Sequence, residues 1–198
     1  MKIGIFGGAF NPPHKMHKDI AIELLTKGYL NKVIYVPTGN NYNKPCLLDG
    51  KDRVNMLKSM FSQNENQIEV SDFEVKGSLY TINTLNYFKN IYPTDEIYFI
   101  CGTDNLAEFH TWHRYEEILK NYKLLVIARN GNVFDDLIKK YSEYTQSIVL
   151  APIEMNLISS TMVRQEIINN GFTEELEQYL EKDVIEYLKT LQLKEVWK

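Results

Sequence analysis

The chain alternates short apolar runs with segments in which apolar residues recur every three or four positions. Six runs have the length and the β-branched composition of buried parallel strands, at 2–6, 32–36, 67–70, 96–101, 124–128 and 147–150. Helical spacing predicts helices between them, around 20–25 and at 53–60, 80–92, 104–119 (one or two short helices) and 133–141. This βαβα order predicts an α/β fold, an open parallel sheet with helices on both faces.

The pattern changes near residue 155, after which only helical spacing remains. One helix is predicted from Ser159 to about Asn169, and Asn170 and Gly171 mark a break before a long helix over 174–191. Its apolar positions predict a buried face rather than a dimer seam, and they are Leu176, Leu180, Val184 and Leu188. We expect a single domain over 1–198, with 155–198 as a small helical C-terminal end.

Composition narrows the class of protein. Hydrophobic residues make up 44% and charged residues 24% of the chain, as in soluble globular domains. The net charge of −4 predicts neither a nucleic-acid partner nor a membrane partner. Cys46 and Cys101 form no CxxC pair, which fits a reducing compartment. We therefore expect a cytoplasmic protein. The sequence leaves open whether it forms a homo-oligomer.

The first candidate site is the loop after the first strand, Gly7-Gly8-Ala9-Phe10-Asn11-Pro12-Pro13-His14-Lys15-Met16-His17. Ligands of open parallel sheets bind beyond the carboxyl ends of the strands. Glycines let a phosphate approach closely, and the start of a helix favours an anion. The two histidines therefore predict a phosphate site, without the GxGxxG pattern of dinucleotide binding. A turn whose histidines only cap and pack, or a metal site, are the alternatives.

The second candidate site is Ile158–Arg164, where three hydroxyl residues precede a helix and Arg164 follows one turn later. Serine and threonine are preferred N-caps, so a plain helix start is one interpretation. With the arginine beside exposed N–H groups, a second anion site is the other.

Together the two sites resemble the signatures of the nicotinate-nucleotide adenylyltransferases, a branch of the HxGH nucleotidyltransferase superfamily. The first is similar to GG(T/S)F(N/D)PPHxGH, with Met16 in place of a glycine, and the second to ISSTxxR. The resemblance implies a Rossmann-like fold with His14 and His17 as the catalytic pair. It also implies ATP-binding residues, namely Gly7, Gly8, Ala9, Phe10, His17, Ser159, Ser160, Thr161 and Arg164.

Segments between these sites resemble the acceptor-binding part of the same family. Residues 80–85 are similar to YT(I/F)DTL, and residues 102–112 to G(A/T)DN…W, whose tryptophan stacks on a pyridine ring in that family. Lys44 remains from the family's PPHK string. The resemblance thus implies substrate-binding residues, namely Lys44, Thr81, Thr84, Gly102, Asp104 and Trp112. Core packing is the alternative for Trp112.

The resemblance implies adenylyl transfer from ATP to nicotinate mononucleotide, giving deamido-NAD and pyrophosphate in NAD biosynthesis. Mg²⁺ is expected to enter with ATP, without protein ligands of its own. Other superfamily activities remain alternatives, with nicotinamide mononucleotide, phosphopantetheine or a phosphorylated alcohol as the acceptor. A sensor that binds nucleotide without turnover is the alternative outside enzymes. The proline pair and Trp112 favour a pyridine acceptor.

Overall fold

Six parallel strands form one sheet in the described part of the chain. The computed structural model describes residues 1–41, 46–61, 66–77, 80–128, 134–153 and 158–197. The strands are β1 (Lys2–Gly8), β2 (Lys32–Pro37), β3 (Ile68–Val70), β4 (Glu96–Gly102), β5 (Lys123–Ile127) and β6 (Ile148–Ala151). Their spatial order is β3-β2-β1-β4-β5-β6. The predicted open parallel sheet is confirmed, with strand ends shifted by one or two residues.

Helices connect these strands and cover the sheet. They are α1 (Lys15–Thr26), α2 (Gly50–Met60), α3 (Thr81–Ile91), α4 (Thr103–Glu108), α5 (Tyr115–Asn121), α6 (Phe134–Lys139), α7 (Ser160–Asn170), α8 (Lys182–Lys189) and α9 (Leu193–Val196). 3₁₀ turns lie at Phe109–Thr111, Ser142–Ser147 (with a kink at Tyr144) and Glu174–Gln178. Among the residues described, no helix is long and apolar enough to span a bilayer.

Alternate residues of each central strand enter different hydrophobic clusters. In β4, Ile97 and Phe99 pack with residues of α3, α4 and α5, whereas Tyr98 and Ile100 pack with residues of α1. Successive side chains of a strand point to opposite faces of the sheet. Both faces are therefore covered, as the continuous apolar runs of the sequence predicted.

The order of the strands reverses between β1 and β4. From β1 the chain moves outward through β2 to β3, and from β4 it moves the other way through β5 to β6. The connections after β1 and β4 therefore diverge, which leaves a crevice beyond their carboxyl ends. Gly8 and Gly102 are the last residues of these two strands, so both stand at that crevice.

The C-terminal end forms a third hydrophobic cluster against α2. Its four predicted core residues are fully buried together with Met56 of α2, and they are Leu176, Leu180, Val184 and Leu188. The predicted single long helix over 174–191 is wrong, because a 3₁₀ segment and α8 replace it. The carbonyl of Tyr179 accepts a hydrogen bond from the backbone N–H of Lys15 at 2.9 Å, where a continuous helix would use its own N–H. Docking onto the first turn of α1 thus interrupts the helix.

Neighbouring isoleucines of α7 provide a matched test of this packing. Ile167 is 7% exposed within the third cluster, whereas Ile168 is 55% exposed. We expect Ile167→Ala to lower the free energy of unfolding by about 2–4 kcal/mol, because it leaves a cavity. Ile168→Ala, the same chemical change one position on, should cost less than about 0.5 kcal/mol. Urea unfolding measures both, and equal losses would contradict the packing described.

Candidate active site

A cavity of about 730 Å³ lies in the crevice between β1 and β4. Its wall carries most of the site residues predicted from the sequence, namely Gly7, Gly8, Ala9, Phe10, His14, His17, Thr81, Gly102, Asp104, Trp112, Ser159, Ser160 and Thr161. Three others do not line it in the part described. Thr84 lies behind the wall, Arg164 lies beside the first loop, and Lys44 falls outside the described residues.

The glycines that end β1 make room for aromatic rings. A Cβ on Gly8 would come within 3.1 Å of the Phe10 ring, and a Cβ on Gly7 within 3.0 Å of the Phe99 ring. Phe10 itself has a φ of 47°, a left-handed conformation that turns the chain back over Gly8. The sequence predicted that these glycines let a phosphate approach. The structure adds that Gly8 lets the Phe10 ring fold over the end of β1, and that Gly7 makes room for the Phe99 ring of β4.

The two histidines are stacked on each other at the start of α1. Their ring centroids are 3.7 Å apart with an angle of 26° between the planes. The backbone N–H of His14 donates to Nδ1 of His17 at 3.1 Å, and the hydroxyl of Tyr35 donates to the His17 carbonyl at 2.7 Å. Because Nδ1 of His17 is the acceptor, the proton of its neutral ring lies on Nε2. Nε2–H is the group that can donate to a phosphoryl oxygen.

Hydrogen bonds join the two candidate sites directly. The hydroxyl of Ser160 donates to the carbonyl of Pro12 at 2.9 Å, and Nη1 of Arg164 donates to the carbonyl of Asn11 at 2.8 Å. Ser159 also caps α7, because its hydroxyl accepts from the N–H of Met162 at 3.2 Å. Segments from opposite ends of the sequence thus form one edge of the cavity. The start of α7 faces the same space as the histidines.

A buried arginine holds the loops around this edge. Arg53 is fully buried, and its guanidinium donates to the carbonyls of Leu48 at 2.9 Å, Ala9 at 3.0 Å and Thr38 at 2.7 Å. Burial lowers the pKa of Arg53 to about 10, while Asp49 and Glu74 raise it, so the group stays cationic at neutral pH. These carbonyls belong to the loops after β1 and β2 and to the residues before α2. Arg53 therefore fixes three segments at once.

Asn11 supports the same region from the other side. Its side-chain amide donates to the carbonyl of Cys46 at 2.7 Å and accepts from the N–H of Leu48 at 3.1 Å. Only 1% of Asn11 is exposed, so both bonds are sheltered from water. The side chain of Asn11 holds residues 46–48, and its carbonyl holds Arg164.

Trp112 belongs both to the core and to the cavity. Its ring packs edge-on against Phe99 at 5.6 Å and tilted against Phe109 at 5.0 Å, and it also lines the cavity. The two interpretations of this residue are therefore compatible. Nearby, the rings of Tyr80 and His113 contact each other at 4.2 Å on the same wall.

Met16 lies where the related signature has a glycine. It is 3% exposed, packs with Ile20 and Leu24 on the inner face of α1, and lines the cavity. Among the residues the structure describes, no cluster of three or more His, Cys, Asp or Glu side chains is placed to hold a metal ion.

Glu74 is a wall residue that the sequence did not single out. It lies between β3 and α3, and its carboxylate accepts a hydrogen bond from the hydroxyl of Thr84 at 2.6 Å. Burial raises the pKa of Glu74, and the Thr84 bond and the charge of Arg53 oppose that rise. The same rule about carboxyl ends of strands, applied to β3 as well, would have pointed to this segment.

Comparison with known proteins identifies the class. Residues 5–166 match the family model described as Cytidylyltransferase-like. A relative from Caldicellulosiruptor bescii, named "Probable nicotinate-nucleotide adenylyltransferase", is 40% identical over 83% of this chain and 86% of its own. A relative of the same name from Clostridium tetani is 36% identical over 84% and 86%. The chain therefore belongs to the nicotinate-nucleotide adenylyltransferase family.

Solved structures agree on the fold. The Plasmodium falciparum nicotinic acid mononucleotide adenylyltransferase complexed with NaAD superposes with a TM-score of 0.83. It is 20% identical to this chain, and the match covers 98% of both chains.

Arg53→Lys tests the role of the buried guanidinium. Lysine keeps the charge but cannot reach three separated carbonyls, so buried acceptors lose their donors. We expect the free energy of unfolding to fall by about 2–4 kcal/mol. Arg114→Lys, at an exposed position, is the control and should stay within about 0.5 kcal/mol of the parent. If the two variants are equally stable in urea, the hydrogen bonds of the Arg53 guanidinium to the three carbonyls are not needed for stability.

Proposed function

We propose that this protein transfers the adenylyl group of ATP to the phosphate of nicotinate mononucleotide, releasing pyrophosphate and forming deamido-NAD for NAD biosynthesis. The observation that carries the proposal is the hydrogen-bonded junction of the two phosphate-site motifs, made by Ser160 and Arg164 on the loop after β1. Trp112 lies on the wall of the same cavity. Membership of the nicotinate-nucleotide adenylyltransferase family supports the choice of acceptor.

The reaction needs no nucleophile from the protein. A phosphate oxygen of the mononucleotide forms a bond to the α-phosphorus of ATP, and the bond from that phosphorus to the bridging oxygen breaks. The electron pair leaves with pyrophosphate. The protein then contributes by aligning the two phosphates and by stabilising the charge that develops on them.

His14 and His17 take the α-phosphate in this proposal. Nε2–H of His17 is oriented by the bond that Nδ1 accepts from the backbone of His14. A donor held in place before the reaction needs no reorganisation when charge develops on the phosphoryl oxygens. The glycine turn and Phe10 line the adjoining wall, where we place the nucleoside of ATP.

The N-terminal turn of α7 takes the leaving pyrophosphate. The backbone N–H groups at a helix start and the helix dipole favour an anion, and Thr161 adds a hydroxyl on the cavity wall. Arg164 contributes by holding the Asn11 carbonyl and the Thr161 hydroxyl, which keeps the turn in place. Mg²⁺ belongs to the ATP substrate, because phosphate oxygens and water are the ligands it prefers.

The acceptor occupies the part of the cavity lined by α3, α4 and the end of β4. Trp112 offers a ring face to the pyridine, with Thr81, Gly102 and Asp104 on the surrounding wall. Lys44, predicted to hold the acceptor phosphate, remains a prediction.

His17→Ala should lower kcat by about a hundredfold or more, because a preorganised donor to the transition state is lost. The control is His110→Ala, since His110 is exposed and is not among the cavity residues. The measurement is pyrophosphate release from ATP and nicotinate mononucleotide, with thermal melting to show that both variants fold. Near-parental turnover of His17→Ala would reject the assigned role.

Trp112→Ala should raise KM for nicotinate mononucleotide by roughly tenfold and leave KM for ATP unchanged, as expected for losing one aromatic stack. Trp112→Phe retains a ring and should bring KM for nicotinate mononucleotide most of the way back to the parental value.

Running nicotinate and nicotinamide mononucleotides side by side tests the acceptor, and faster turnover is expected with nicotinate mononucleotide. Binding of ATP without pyrophosphate release from any acceptor would favour a sensor instead.

A further inference from the structure

A carboxylate stands on the wall of a cavity whose substrates are anions. Glu74 lines the cavity together with Thr38, Tyr80 and Trp112. An acidic side chain there repels the phosphates of both substrates, so a role in general phosphate binding is excluded. Where this carboxylate meets a ligand, it must face a part that carries no negative charge.

Two residues that interact with Glu74 belong to different parts of the proposed acceptor site. On one side its charge interacts with that of Arg53, whose guanidinium holds Ala9 and Thr38 beside the histidine loop. On the other side it accepts from Thr84, one turn after Thr81 on α3. The first side belongs to the phosphate and the second to the pyridine in the proposed function. The ribose joins these two groups.

The acceptor itself leaves one kind of partner for this carboxylate. At neutral pH nicotinate mononucleotide has a phosphate and a ring carboxylate, which accept hydrogen bonds and donate none. Its only donors are the two ribose hydroxyls. An ionised carboxylate accepts several hydrogen bonds, so the bond from Thr84 leaves capacity for a ligand hydroxyl.

We infer that Glu74 is a specificity residue that accepts a hydrogen bond from a ribose hydroxyl of the acceptor nucleotide, and that Thr84 is the positioning residue that orients it. The inference rests on the proposed function. It also explains Thr84, which resembles a substrate-binding residue of the family but is 1% exposed here and does not line the cavity. Thr84 acts on the substrate through Glu74.

The test compares Glu74→Gln with the parent on ribonucleotide and deoxyribonucleotide acceptors. Glutamine keeps the shape of the side chain and removes its charge. With one side-chain oxygen still bonded to Thr84, the amide nitrogen replaces the other oxygen and cannot accept the ribose hydroxyl. With nicotinate mononucleotide, KM should therefore rise by roughly tenfold to a hundredfold. KM for ATP and kcat should stay within about twofold, because the reacting phosphates are not touched. Direct binding of nicotinate mononucleotide, measured by calorimetry, should weaken by the same factor.

Acceptors that lack the 2′- or the 3′-hydroxyl locate the contact. With the parent protein, KM for one of these two acceptors should be raised by the same factor as Glu74→Gln raises KM for nicotinate mononucleotide. With that acceptor, Glu74→Gln should cause no further rise in KM. Thr84→Val should raise KM for nicotinate mononucleotide by a smaller factor. That rise should also disappear with the same deoxy acceptor. Glu108→Gln, at an exposed position off the cavity, is the control and should behave as the parent.

Three outcomes would overturn the inference. If Glu74→Gln and the removal of either ribose hydroxyl raise KM independently, so that their free-energy effects add, Glu74 does not contact the ribose. A change in the preference between nicotinate and nicotinamide mononucleotides would place Glu74 at the ring substituent. Absence of turnover in the parent protein would reject the proposed function itself, and that result differs from active protein with additive losses.

Discussion

The hydrogen bonds from α7 to the loop after β1 are the constraint on which the site depends. Ser160 and Arg164 hold the carbonyls of Pro12 and Asn11, and this sets the distance between the start of α7 and the histidines. Because no protein atom forms a covalent bond in a reaction between two phosphates, the main contribution of the protein is to align them. The third hydrophobic cluster and the bond from Lys15 to Tyr179 press the C-terminal end against α1 and α2, which keeps α7 in position.

Two charged side chains near the cavity act by holding backbone groups in place. The whole protein carries a net charge of −4, and two arginines beside the site, Arg53 and Arg164, donate to backbone carbonyls. Arg53 and Arg164 therefore fix loops, while the backbone of Ser160 and Thr161, at the start of α7, borders the cavity. Anion binding by such groups is short-range and needs no excess of positive charge on the surface.

The sheet and its order of elements were predictable because buried parallel strands are continuous apolar runs. The two candidate phosphate sites could be recognised because they are local strings of residues, and the structure brings them together at one cavity. What failed had a tertiary cause: the helix expected over 174–191 is interrupted where Tyr179 serves α1. Glu74 was missed for a similar reason, since its meaning depends on Thr84 and on Arg53, which lie in other elements. Lys44 stays a prediction from resemblance.

Met16 shows how one position is shared between stability and the site. Helix α1 repeats every 3.6 residues, so a residue four positions before Ile20 must face the sheet. A glycine there would leave space beside the cavity and would pack no side chain against Ile20 and Leu24. Methionine buries a side chain at this position, a gain of about 1.5–3 kcal/mol. The flexible thioether also adapts to irregular surroundings, so this chain gains packing on α1 while the wall next to the histidines stays deformable.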